Sequence, residues 1–138
     1  MANTHSQHQV DEVELTKLIV LVCLSEKATI EDLSIVLSDH ATVHELNRDF
    51  LSHDYETDVL SFPLNDNPDT SVVDGEVYVD LDTAHERCSE FGVTFKAETY
   101  RYVVHGLLHL LGYEDDTPAL KNKMRQKEDF YLAGFIES

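Results

Sequence analysis

Apolar residues recur along this chain with two periods, and the alternation between them outlines a fold. From Val10 to Glu26, the positions Val10, Val13, Leu18, Leu21 and Val22 are spaced for one helical stripe. Thr29 to Ser38 is short and rich in Ile, Leu and Val, so its later part predicts a strand. Thr42, with Glu45 three residues on, predicts a capping box opening a helix that carries Val43, Leu46, Asn47 and Phe50. Thr57 to Phe62 (TDVLSF) predicts a strand ended by Pro63, and Asn65 to Thr70 (NDNPDT) a turn-rich loop. Gly75 to Leu81 (GEVYVDL) alternates, with Val77 and Val79 on one face and Glu76, Tyr78 and Asp80 on the other. Asp82 or Thr83 then caps a helix through Phe91, stopped by Gly92. Thr94 caps a long helix to Leu111, with Gly112 just beyond its end. Pro118 starts a last helix to Leu132. This order predicts an α+β fold, a single small mixed β-sheet flanked by helices.

Length and composition narrow the picture. The 138 residues fit one domain, 1–138, in which 1–9 read as a disordered or edge-strand segment. At 42% hydrophobic residues the chain can fill a core. Ten Lys and Arg stand against 27 Asp and Glu, a formal net charge of −17. Such a surface argues against duplex DNA and anionic lipid as partners. Two cysteines make no disulfide framework, and Cys23, in an apolar run, reads as a buried small hydrophobe. Met1 to Val10 lacks the pattern of a signal peptide. The longest apolar run, Leu18 to Leu24, is far short of the roughly 20 residues a membrane span needs. The expectation is a soluble cytoplasmic protein.

The chemistry concentrates in His105 to Asp115, HGLLHLLGYED. His105 and His109 are i and i+4, so on a helix they lie about 40° apart on one face. Gly112 permits a sharp turn that can swing Asp115 back beside them. Two imidazoles and one carboxylate leave a fourth position open on a tetrahedral zinc, the arrangement of a catalytic site at the end of the long helix. Asp116 and, less well, Glu114 are alternatives to Asp115. The apolar neighbours, Val103, Val104, Leu107, Leu108, Leu110 and Leu111, mean that both histidines need polar partners or a ligand. Zinc peptidases place a glutamate base directly after the first histidine. Here that position is Gly106, which weighs against peptidase chemistry.

This segment resembles the HGxLHLxGYDH signature of YbeY-type proteins, metal-dependent endoribonucleases of ribosomal RNA maturation and ribosome quality control. Leu46-Asn47 and Asp54 to Pro63 (DYETDVLSFP) are similar to that family's LN and D..TDVLSFP stretch. Gly75 to Val79 (GEVYV) resembles its GDIxI strand, with Glu76 in place of Asp. The resemblance covers about residues 42–132. It implies an α+β fold with one divalent metal ion, zinc by preference, in a cleft. It implies three histidine ligands, of which two fall on His105 and His109 and the third on Asp115. A family arginine thought to face the cleft aligns with Leu51; Arg48, one turn earlier, and His53 are its possible substitutes. Asp58 and Glu76 are candidates for orienting water or holding a ligand histidine.

The resulting expectation is cleavage of single-stranded RNA, with Arg48, Asp58 and Glu76 as catalytic residues. RNA is bound weakly, and the ribosome or a ribosomal protein serves as delivery partner. The alternatives are a non-catalytic, metal-stabilised ribosome-assembly factor, or another zinc-dependent hydrolase. Lys121, Lys123, Arg125 and Lys127 alternate on the last helix, which spreads their charge around it and makes a weak RNA-binding signal.

Overall fold

The computed structural model describes residues 2–3, 10–51, 59–63 and 72–133. In order, its elements are β1 (Ala2–Asn3), α1 (Glu12–Ser25), β2 (Thr29–Ser38), α2 (His40–Leu51), β3 (Val59–Pro63), β4 (Val72–Asp80), α3 (Leu81–Glu90), α4 (Phe95–Leu110) and α5 (Pro118–Leu132). The strands form one mixed sheet in the order β1-β2-β4-β3. β1 runs parallel to β2 and β2 parallel to β4, while β3 is antiparallel to β4. The α+β architecture is the expected one. Ala2–Asn3 is an edge strand; the predicted loop Asn65 to Thr70, with Thr57 and Asp58, lies outside the described residues.

The core lies between the sheet and the helices α1, α4 and α5. Leu15, Leu18, Ile19, Val22 and Cys23 of α1 are buried against it. The buried stripe of α1 is therefore rotated from the expected one. Val13 is 68% exposed and Leu21 also faces solvent. The run Leu18 to Leu24 is apolar all round, so its pattern could not set the phase; packing on α4 and α5 did. β2 spans the whole of Thr29–Ser38 rather than its later part. Its exposed first half pairs with Val72–Asp74 across an irregularity between Ile30 and Asp32, and ladder bonding rather than burial makes it a strand.

Side-chain caps open α2, α3, α4 and α5. α2 begins at His40, because Asp39 Oδ1 accepts the Thr42 N–H at 2.8 Å and takes the capping role expected of Thr42 itself. α3 is capped by Asp80, which accepts the Thr83 N–H at 2.9 Å and the Thr83 hydroxyl at 2.6 Å. Asp80 is fully buried, and it also pairs with His40 Nδ1 at 2.6 Å. Thr94 and Thr117 cap α4 and α5 through the N–H groups of Ala97 and Leu120.

α4 lies directly on the sheet because it carries Gly106 at the crossing. A Cβ there would stand 2.6 Å from Val77 Cγ1 and 3.0 Å from Val59 Cγ2. The same crossing leaves Ser61 Oγ donating to the Gly106 carbonyl at 2.8 Å. The absence of a peptidase glutamate thus has a steric cause: no side chain fits between α4 and β4. Gly106→Ala should cost about 1–3 kcal/mol by overpacking, measured by denaturant unfolding; an unchanged midpoint would contradict this packing.

Candidate metal centre

The centre is built on the C-terminal end of α4. His105 and His109 share one face of that helix, and Gly106 between them meets the sheet. α4 ends in a Schellman turn: the Gly112 N–H reaches the His109 carbonyl at 3.1 Å and the Tyr113 N–H the Leu108 carbonyl at 3.0 Å. Gly112 sits at φ +98°, where an L side chain would be strained. The turn folds the chain back, and Asp115 comes to rest beside the histidines.

The three ligand atoms form a small triangle. His105 Nε2 and His109 Nε2 are 3.0 Å apart, and Asp115 Oδ2 is 3.3 Å from the first and 3.5 Å from the second. A tetrahedral ion with bonds of about 2.0–2.1 Å needs ligand atoms roughly 3.3 Å apart. The donor set therefore fits a divalent ion of that size. Among the described residues, these three form the group whose ligand atoms converge in this way. Glu114 and Asp116 are exposed beside it.

The other nitrogen of each ring settles the tautomers. His105 Nδ1 lies 2.7 Å from Glu128 Oε2, and His109 Nδ1 lies 3.0 Å from the Tyr113 carbonyl. A carboxylate and a carbonyl only accept, so each Nδ1 donates and each Nε2 presents a lone pair. Two lone pairs and a carboxylate oxygen then point at one place, which is the electronic demand of a cation.

Glu128 did not figure among the expected site residues. It is buried on α5, with Oε1 accepting from Arg101 NH1 at 2.9 Å while Oε2 holds His105. Arg101 also donates to Asp129 at 2.6 Å. Burial works against the charge on Arg101, but the bonds to Asp129 and Glu128 outweigh it and raise its pKa. A signal for Glu128 was present: Met124, Glu128, Tyr131 and Leu132 are the buried stripe of α5, so a carboxylate occupies an apolar position.

Tyr113 holds the turn from the other side. Its hydroxyl donates to Glu26 at 2.5 Å, and Glu26 also accepts from Tyr131 and from Lys127 at 3.1 Å. Burial would raise the Glu26 pKa, yet these three donors bring it below the ordinary carboxylate value.

Of the expected catalytic residues, Glu76 is the one whose side chain is described, and it lies away from this centre. Glu76 projects from β4 opposite Val77, on the sheet face that carries α2, where it lines a hollow with Leu46, Phe62 and Tyr78 and accepts from the Tyr78 hydroxyl at 3.3 Å. Arg48 falls in the last turn of α2, with only its backbone described. Asp58 and His53 lie outside the described residues.

Comparison with known proteins decides the lineage. The family model of endoribonuclease YbeY matches residues 1–135. The chain belongs to the YbeY family. A YbeY endoribonuclease of Salinibacter ruber is 52% identical over 134 residues, covering 93% of this chain and 85% of the relative. One from Chlorobaculum parvum is 36% identical over 127 residues, covering 92% and 88%. The solution structure of TM1509 from Thermotoga maritima superposes with a TM-score of 0.64 at 25% identity, covering 97% of this chain and 89% of that one. YbeY membership fits the mixed sheet with α4 laid across it. No described helix is long and apolar enough to cross a membrane.

Proposed function

We propose that this chain is a metal-dependent endoribonuclease that cuts single-stranded RNA in ribosomal RNA maturation, with zinc held by His105, His109 and Asp115. The observation that carries this reading is the convergence of two fixed imidazole lone pairs and a carboxylate at tetrahedral spacing, in a chain whose relatives are named endoribonucleases. Bound there, a divalent ion would polarise a phosphoryl oxygen and lower the pKa of a water. The chain's own residues do the rest. Glu128 keeps the proton on His105 Nδ1, and the Tyr113 carbonyl keeps it on His109 Nδ1. Asp115 in place of a third histidine lowers the site's charge by one, which favours a harder ion over nickel. Arg48 and Asp58 are proposed as further groups for holding the phosphate and orienting water, and Glu76 as a more remote one.

With a net charge of −17, long-range attraction to RNA is weak, so delivery on the ribosome by a protein partner in the cytoplasm forms part of the reading. A non-catalytic assembly role is the second reading, favoured by Leu51 where the resemblance implies an arginine. One assay separates them: metal-loaded protein with single-stranded and duplex RNA, with and without chelator. The expected result is about one zinc per chain and cleavage of single strands that chelator stops and zinc restores. Cleavage that survives chelation would reject the metal mechanism. Intact RNA in the presence of folded, loaded protein would leave the assembly role.

A further inference from the structure

Ten Lys and Arg serve this acidic chain, and four of them converge on one pocket beside the metal ligands. Arg87 of α3, Arg101 of α4 and Lys121 and Arg125 of α5 line a pocket of about 340 Å³, which shares His105 and Asp115 with the centre. That volume lies within the range of small-ligand sites. The alternating basic run of α5 is sorted by the fold. Lys121 and Arg125, one turn apart, face this pocket. Lys123 and Lys127 lie instead over the Tyr113 ring.

Three carboxylates, Glu98, Asp115 and Glu128, line the same pocket against its four cations. Both oxygens of Glu128 are committed, to Arg101 and to His105, and Asp115 belongs to the ligand triangle. Arg101 is likewise committed to Glu128 and Asp129. The exposed cationic heads that α5 brings to the pocket are Lys121 and Arg125.

Phe91 stands on the same wall and is 64% exposed. It is no frayed end: the Phe91 N–H bonds the Arg87 carbonyl at 3.2 Å and the Val93 N–H the Cys88 carbonyl at 2.9 Å. An exposed aromatic carried on a bonded backbone turn among cations is the chemistry of single-stranded nucleic acid, where cations follow phosphates and a ring stacks on a base. A duplex keeps its bases inside and offers that ring nothing.

We propose that this pocket is a nucleotide subsite adjoining the candidate metal centre, in which Lys121 and Arg125 hold the neighbouring phosphate and Phe91 stacks on its base. The proposal deepens the nuclease reading and rests on it for the choice of RNA. It is tested by fluorescence anisotropy of zinc-loaded protein with a 2′-O-methylated single-stranded decanucleotide, across a range of salt. Lys121→Gln with Arg125→Gln should weaken binding about tenfold and flatten the dependence of log K on log salt by about 1.4, some 0.7 per lost contact. Phe91→Ala should weaken it roughly fivefold or more without changing that slope. Lys123→Gln should do neither.

The substituted side chains are exposed, so folding is not at stake. Absence of binding by the parent protein, equal slopes for the double variant and Lys123→Gln, or displacement of the RNA by an acidic peptide at equal charge concentration would each overturn the subsite. The nuclease reading fails separately. A parent protein that cleaves RNA while the variants bind and cleave equally well keeps that reading and loses the subsite. A parent that shows the variant effects yet cleaves nothing keeps the subsite and loses the nuclease.

Discussion

Exchanging His109 for alanine should abolish metal binding at the proposed centre and, with it, RNA cleavage. Among the described residues, Nε2, Nε2 and Oδ2 are the ligand atoms that converge, so the two left should hold a zinc-sized ion far less tightly. A divalent ion held there would supply the main electrostatic stabilisation of the cleaved phosphate, so without it cleavage should fall by roughly 10³-fold or more. The fold should survive. The turn behind His109 is held by backbone bonds at Gly112 and Tyr113 and by the Tyr113–Glu26 contact, none of which uses the imidazole. The measurements are metal content by elemental analysis, cleavage of a labelled single strand, and melting with and without zinc. At a hundredfold excess over Kd, zinc should add about 2.7 kcal/mol to the parent and nothing to the variant. A variant that keeps one equivalent of zinc would remove His109 from the ligand set.

The second large effect is expected far along the chain, at Glu128. Glu128→Ala should lower zinc affinity 10–100-fold, because His105 loses the acceptor that fixes its tautomer and ring. It should also cost stability. Glu128 is buried, and its removal leaves Arg101, itself three-quarters buried, with only the exposed Asp129 as partner. Breaking a fully buried pair costs about 3–5 kcal/mol, and the exposure of Asp129 and of part of Arg101 brings this to about 2–3 kcal/mol. Glu128→Gln separates the two roles. It preserves shape and one acceptor oxygen, so stability should largely recover while zinc affinity stays depressed. Competition with a chromogenic chelator and urea unfolding give the two numbers. Zinc affinity equal to the parent's in Glu128→Gln would show that the carboxylate does nothing for the metal.

These two residues mark how far sequence reaches. The pairing of His105 with His109 is local: four residues at 3.6 per turn put them on one face whatever the helix packs against. The turn after α4 is local too, since only glycine sits easily at the φ of Gly112. Thr94 and Pro118 announce their helices for the same reason, within one turn of chain. The small mixed sheet and its helices follow from the alternation of periods, and the family motifs reinforce them.

What lies between elements was decided by tertiary structure. The phase of α1 came from α4 and α5, because a run apolar on every side has no preferred face. Glu76 sits across the sheet from α4 because side chains alternate along β4, and only the docking of Gly106 on Val77 says which face receives the metal helix. Glu128 is separated from His105 by 23 residues, and its role needs α5 to cross α4 at one height. The same crossing divides four alternating basic residues into a pair beside the candidate metal centre and a pair over Tyr113. Periodicity along one helix carries the ligands themselves. Their proton donors and acceptors, and the cations around them, come from other elements, whose relative height and rotation no local pattern records.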